Sequence, residues 1–131
     1  MTGPTPLPLA LLADDDGQVR RAVSAVLRRA GWRTQEVASG DGVLPAARAC
    51  RPDLVILDLM MPGADGYTVL AQIKQDPRLR RVPILLMSGE PAEVHRAIGM
   101  DLGATEFVEK PFDPARLLAI VRRVVGGGVP S

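Results

Sequence analysis

Leu54-Val55-Ile56-Leu57 runs straight into a carboxylate, Asp58, and Leu59-Met60-Met61-Pro62-Gly63 then turns the chain away. An apolar run this short, closed by turn residues, reads as a strand buried on both faces. Leu9–Ala13 and Val82–Met87 are runs of the same kind. Arg33–Val37 and Thr105–Glu109 are weaker, and Arg33–Val37 is polar enough to lie at a sheet edge. Between these runs the apolar period changes from two to three or four. Val19, Ala22, Val23, Val26, Leu27 and Ala30 form one such stripe. Tyr67, Leu70 and Ile73 form another, as do Val94, Ala97, Ile98 and Leu102. Leu117, Leu118, Val121, Val124 and Val125 give the last. These are amphipathic helices. Five strands alternating with five helices predict an α/β fold, a parallel sheet covered on both faces by right-handed crossovers.

Several boundaries are legible. Asp16 or Gly17 is expected to cap the first helix and Gly31 to end it. Ser39 is expected to cap a second helix reaching Cys50, with Pro45 inside it forcing a late start or a kink. Asp113 and Pro114 read as the cap and first residue of the last helix.

The polar residues at the strand ends are the functional signal. Asp14 and Asp15 follow the first strand, Asp58 ends the third, Ser88 the fourth and Lys110 the fifth. Each has a bland explanation alone: a helix cap, a turn hydroxyl, a solvated lysine. Together they occupy one carboxyl edge, where open parallel sheets bind ligands. Clustered carboxylates repel one another, and a hard divalent cation relieves that repulsion. Asp15 and Asp58 would ligate Mg2+ directly, Asp14 through a water, and the Met60 carbonyl would add an oxygen. Lys110 and Ser88 would each meet a phosphoryl oxygen. Asp58 would then be the nucleophile that becomes an aspartyl phosphate.

Composition narrows the alternatives. The 131 residues suit one domain, and 47% apolar content is enough for a core. A net charge of +1 gives no general case for nucleic acid. The single cysteine, Cys50, excludes an internal disulfide, fits a reducing compartment such as the cytoplasm, and reads as a small buried side chain. No run approaches the ~18 apolar residues of a membrane span. Residues 1–8 read as a disordered, Pro-rich lead-in without a signal peptide's basic start, and 126–131 as a flexible tail or linker. There is no Gly-rich phosphate loop and no second acid two residues after Asp58, so an enzyme acting on an outside nucleotide or phosphoester is disfavoured. The lone His95 is expected to be exposed and without a relay role.

Over 9–125 the chain resembles the CheY-like receiver domain of two-component response regulators. The resemblance is carried by Leu11–Asp16, Pro52–Gly63, Asp65-Gly66, Pro83–Gly89, Gly103-Ala104 and Lys110-Pro111-Phe112. It implies a flavodoxin-like, doubly wound sheet in the order 2-1-3-4-5, a single domain, and a cis Lys110–Pro111 bond. It implies that Asp58 accepts a phosphoryl group from a histidine kinase or phosphotransfer protein, with Mg2+ as cofactor. Ser88 and Phe107 stand at the switch positions. On phosphorylation Ser88 would move toward Asp58 and Phe107 would turn inward, reshaping a surface made by the fourth helix, fifth strand and fifth helix for a downstream effector. Met60 and Glu90 would flank the phosphoryl group. Such a protein is not an enzyme beyond its own aspartyl phosphorylation and dephosphorylation. The alternative is a phosphorylation-independent pseudo-receiver used as an interaction module. No DNA-binding segment is read after Val125, so direct nucleic-acid binding is not expected. A single-domain regulator and a receiver cut from a longer protein both stay open, as does homodimerisation through the switch surface.

Overall fold

The computed structural model describes residues 6–89 and 92–126, with side chains omitted at 92 and 94. Most of the expected lead-in and tail, and Glu90, lie outside the described residues. The elements alternate: β1 (Leu9–Ala13), α1 (Gly17–Arg29), β2 (Arg33–Val37), α2 (Val43–Cys50), β3 (Leu54–Asp58), α3 (Gly66–Gln75), β4 (Ile84–Ser88), α4 (Ala92–Asp101), β5 (Glu106–Glu109) and α5 (Pro114–Val125). The sheet order is β2-β1-β3-β4-β5, with every pairing parallel. Among the described residues no helix is long and apolar enough to cross a membrane.

Successive residues of a strand point to opposite faces, so each central strand feeds two cores. Leu11, Val55, Leu57, Ile84, Leu86 and Phe107 pack on one face with Val43, Val69, Leu70 and Ile73 of α2 and α3. Ala10, Leu12, Leu54, Ile56, Leu85, Met87 and Val108 pack on the other with Val23 and Leu27 of α1 and Leu117 and Val121 of α5. β1, β3 and β4 are buried along their whole length, as unbroken apolar runs require. β2 has no fully buried residue, which fits its polar sequence and its edge place.

Asp16 caps α1 by accepting from the Gln18 N–H, and Asp113 caps α5, with Pro114 in its first turn. Lys110–Pro111 is cis. Three expectations need correction. Ser39 does not cap α2: a 3-10 turn at Gly40–Gly42 intervenes, and α2 begins at Val43. This is the late start expected of Pro45, which falls in the first turn of α2, where a missing N–H removes no intrahelical bond. The described part of the apolar stripe of α4 is not buried. Ala97 is exposed, and Ile98 and Leu102 are 43% and 37% exposed. Among the described residues of α4, the one turned onto the sheet is Gly99, where a Cβ would lie 2.5 Å from Leu86 Cδ1. The absence of a side chain lets the helix ride close on Leu86, and that phase rotates Ile98 outward. Cys50 is only half-buried.

Candidate functional site

The pleat that sorts the core also sorts the site. Asp14 continues the alternation Ala10, Leu12; Asp58 continues Leu54, Ile56; Lys110 continues Val108. All three share the phase of the α1/α5 face and emerge together at the carboxyl edge. Lys110 Nζ lies 2.7 Å from Asp14 Oδ2 and 3.1 Å from Asp58 Oδ1. Carboxylate oxygens of Asp14, Asp15 and Asp58 lie within 4.8 Å of one another. Asp14 and Asp58 are buried, while Asp15 is exposed at the mouth.

The local backbone holds this arrangement. The Asp14 N–H donates to the Val37 carbonyl at 3.2 Å, and its Oδ1 accepts from the Asp16 N–H at 2.9 Å. The Lys110 N–H donates to the Ser88 carbonyl at 2.8 Å, which sets the lysine beside the end of β4. After β3, the Gly66 N–H returns to the Leu59 carbonyl. A Cβ at Gly66 would come within 2.8 Å of the Asp58 carbonyl oxygen, so α3 can start this close only on glycine.

Burial and then the neighbouring Asp14 push the Asp58 carboxyl above its ordinary range, with a smaller push from Asp15; Lys110 opposes them and does not win. For Lys110, burial presses the ammonium down, but Asp14 and Asp58 together hold it above its usual value. Three carboxylates facing one ammonium leave two surplus negative charges. Oxygen donors carrying that surplus suit a hard divalent cation that keeps part of its water shell.

A model of the response regulator receiver domain matches residues 10–122. This chain belongs to that family. The receiver is 32% identical over 118 residues to the transcriptional regulatory protein BaeR of Escherichia coli O6:H1, covering 90% of this chain and 48% of that protein. It thus spans about half the length of the curated relatives it matches. Among solved structures it is similar to the chemotaxis response regulator CheY4 of Vibrio cholerae, at a TM-score of 0.85 and 30% identity, covering 90% and 98% of the two chains. It is also similar to the receiver domain of the sensor histidine kinase PA1611 from Pseudomonas aeruginosa PAO1, at a TM-score of 0.84 and 29% identity, covering 92% and 98%. That structure carries a magnesium ion coordinated in its active-site cleft. Receivers of this family are signalling proteins rather than enzymes working on an outside substrate.

In this receiver Ser88 and Phe107 take the opposite phase to the acids, on the α3/α4 face, with Phe107 paired in register with Leu86. Both are buried, Ser88 at 1% and Phe107 at 2% exposure. Phe107 is turned inward in this structure, packed in the same core as Leu86 and Ala104. Met60 stands 62% exposed, two residues beyond Asp58. His95 is not solvated alone: Tyr67 Oη lies 2.6 Å from its Nδ1, joining α3 to α4.

Two further features of the receiver were not read from its sequence. Arg20 donates from Nη1 to the Asp14 carbonyl and from Nε to Glu36. Gly40 donates to the Pro62 carbonyl, and a Cβ on Gly40 would sit 1.6 Å from the Ala64 carbonyl oxygen. The turn after β2 is thus laid directly on the loop that follows Asp58. The only trace of the first feature is an arginine six residues after Asp14 and a glutamate on the edge strand; the second left only a glycine in a turn.

Proposed function

We propose that Asp58 is the phosphoacceptor of this receiver, taking the phosphoryl group of a phosphohistidine on a sensor kinase or phosphotransfer protein in the cytoplasm. The observation that carries this reading is the position of Lys110, whose one ammonium touches Asp14 and Asp58 at once beside a cluster of three carboxylates. An Asp58 oxygen attacks phosphorus, the phosphorus–nitrogen bond breaks, and the imidazole nitrogen takes a proton. Lys110 and the Ser88 hydroxyl neutralise charge on the transferred group. Asp15, Asp58, the Met60 carbonyl and, through water, Asp14 would hold Mg2+. The cation supplies positive charge against the incoming phosphoryl oxygens.

An apolar groove of about 530 Å³ between α1 and the β5–α5 turn, lined by Val19, Ala22, Val26, Pro111, Phe112 and Pro114, borders Lys110 and offers the donor protein a seat. On the far side of β5, Glu106 binds Arg96 of α4 at 3.2 Å and Arg123 of α5 at 2.6 Å, and the Arg96 guanidinium lies 6.0 Å from the Phe107 ring centre. This network, together with the exposed Ile98 and Met100 of α4, supports reading α4–β5–α5 as the surface that would report the state of Asp58 through Ser88 and Phe107 to an effector.

Incubation of the chain with Mg2+ and phosphoramidate, followed by intact-mass measurement, tests the reading. One phosphoryl group is expected on the wild type and none on Asp58→Asn. An unmodified wild type would leave the phosphorylation-independent module as the better account. Met60→Asn puts an amide in place of an exposed apolar side chain two residues beyond Asp58, and it is expected to speed loss of the phosphoryl group several-fold. An unchanged rate removes Met60 from the site.

A further inference from the structure

We propose that Arg20 is a positioning residue for the cation site, fixing the two adjacent acids Asp14 and Asp15 relative to each other so that Mg2+ binds. The inference rests on the phosphoacceptor reading of these carboxylates. Arg20 lies in the early part of α1, and its side chain is 19% exposed. Its Nη1 donates to the Asp14 carbonyl at 2.6 Å, and its Nε donates to Glu36 Oε1 at 3.0 Å. Glu36 stands on β2, so one guanidinium ties the loop after β1 to the neighbouring edge strand. Arginine serves the two acceptors from two separate nitrogens of one rigid fork, Nε for Glu36 and Nη1 for Asp14, where a lysine would bring one nitrogen on a flexible stem.

The acceptor atom is what gives this bridge its consequence. The Asp14 carbonyl belongs to the planar peptide unit that joins Asp14 to Asp15. Holding its oxygen fixes the rotation of that unit, and with it the direction in which the chain delivers Asp15. Asp15 is the exposed member of the cluster, with the least packing of its own. The Asp14 carboxylate has other restraints, Lys110 on Oδ2 and the Asp16 N–H on Oδ1. The Lys110 contact is the one that phosphoryl binding would compete for; the Arg20 contact to the carbonyl stays clear of that competition.

Charge alone predicts the opposite effect. A guanidinium near three carboxylates repels a divalent cation, so deleting it should tighten Mg2+ binding. Glu36 pairs with that guanidinium and offsets most of its field, which leaves geometry to decide the sign.

The test is titration calorimetry of Mg2+ into the full chain at neutral pH, with thermal unfolding in Mg2+-free buffer alongside. Arg20→Ala is expected to bind Mg2+ about tenfold more weakly, the lower end of what loss of a ligand-orienting partner costs. Arg20→Lys keeps the charge and the packing of the stem but brings one nitrogen in place of the two; it is expected to weaken binding several-fold. Wild-type or tighter affinity in both variants overturns the proposal, as does a lowered unfolding temperature with an unchanged dissociation constant. If the wild type itself binds no Mg2+ and takes no phosphoryl group, the phosphoacceptor reading fails instead, so the two failures are distinct.

Discussion

Asp58→Asn is expected to take up no phosphoryl group and, in Mg2+-free buffer at neutral pH, to unfold at a higher temperature than the wild type. The two halves share one cause. Burial first, then Asp14, raises the Asp58 carboxyl above its unfolded value of 3.8, against the pull of Lys110. A raised acid binds its proton more tightly folded than unfolded. Folding stability therefore rises as pH falls through the folded value toward 3.8, and above the folded value the full cost of the charge remains. At pH 7 the wild type bears that cost. Asparagine has nearly the same shape without the charge, so the variant gains about 1 kcal/mol, or roughly 3–5 °C in unfolding temperature for a domain of this size. The gap should narrow as the buffer is taken from neutral toward pH 4, because the wild type then protonates. Adding Mg2+ should reverse the order, since a cation that binds only the folded chain stabilises the one that keeps its ligand. Calorimetric melts across pH, with and without Mg2+, check each part. An Asp58→Asn chain no more stable than the wild type at pH 7 would mean that Lys110 already neutralises the carboxylate in full.

Strand phase explains why so much of this was readable. An unbroken apolar run has a fixed length and a fixed alternation, so the residue that ends it is placed on a known face at a known edge. Asp14, Asp58 and Ser88 were legible because each closes or directly follows such a run; Lys110 follows the weaker, mixed run Thr105–Glu109 and was legible from its place before Pro111 at that strand's end. The sheet order 2-1-3-4-5 came from the resemblance; alternation alone requires only a parallel sheet. What stayed hidden depends on how helices rotate and loops touch. The stripe of α4 looked like a buried face, yet Gly99 seats the helix on Leu86 and leaves Ile98 outside. Tyr67 and His95 are 28 residues apart, and no local pattern announces their contact. Arg20 fell off the apolar stripe of α1 and so looked solvated; its partners come from the loop after β1 and from β2. Phe107 could be assigned to the switch position, but whether it points in or out depends on how the α4 face packs, and here it is buried.

Lys110→Ala is the complementary change, and its effects carry different signs at different steps. Phosphoryl uptake at Asp58 should fall by about 10²–10³-fold, the usual cost of removing one preorganised donor to developing charge. Lysine also supplies the influence that lowers the Asp58 carboxyl, so without it burial, Asp14 and Asp15 act unopposed. The acid limb of the uptake rate should therefore move to higher pH. Mg2+ binding to the unphosphorylated chain should strengthen, because the cluster of three carboxylates loses its only contacting ammonium among the described residues. Lys110→Arg is not expected to rescue uptake fully, since a planar fork cannot occupy the place of a compact charge lying 2.7 Å from one acid and 3.1 Å from the other. Stopped-flow uptake from phosphoramidate across pH, with calorimetric Mg2+ titration of the same variants, separates these effects. Uptake within a few-fold of wild type, or weaker Mg2+ binding in Lys110→Ala, would show that the ammonium holds the carboxylates in place rather than meeting the phosphoryl group.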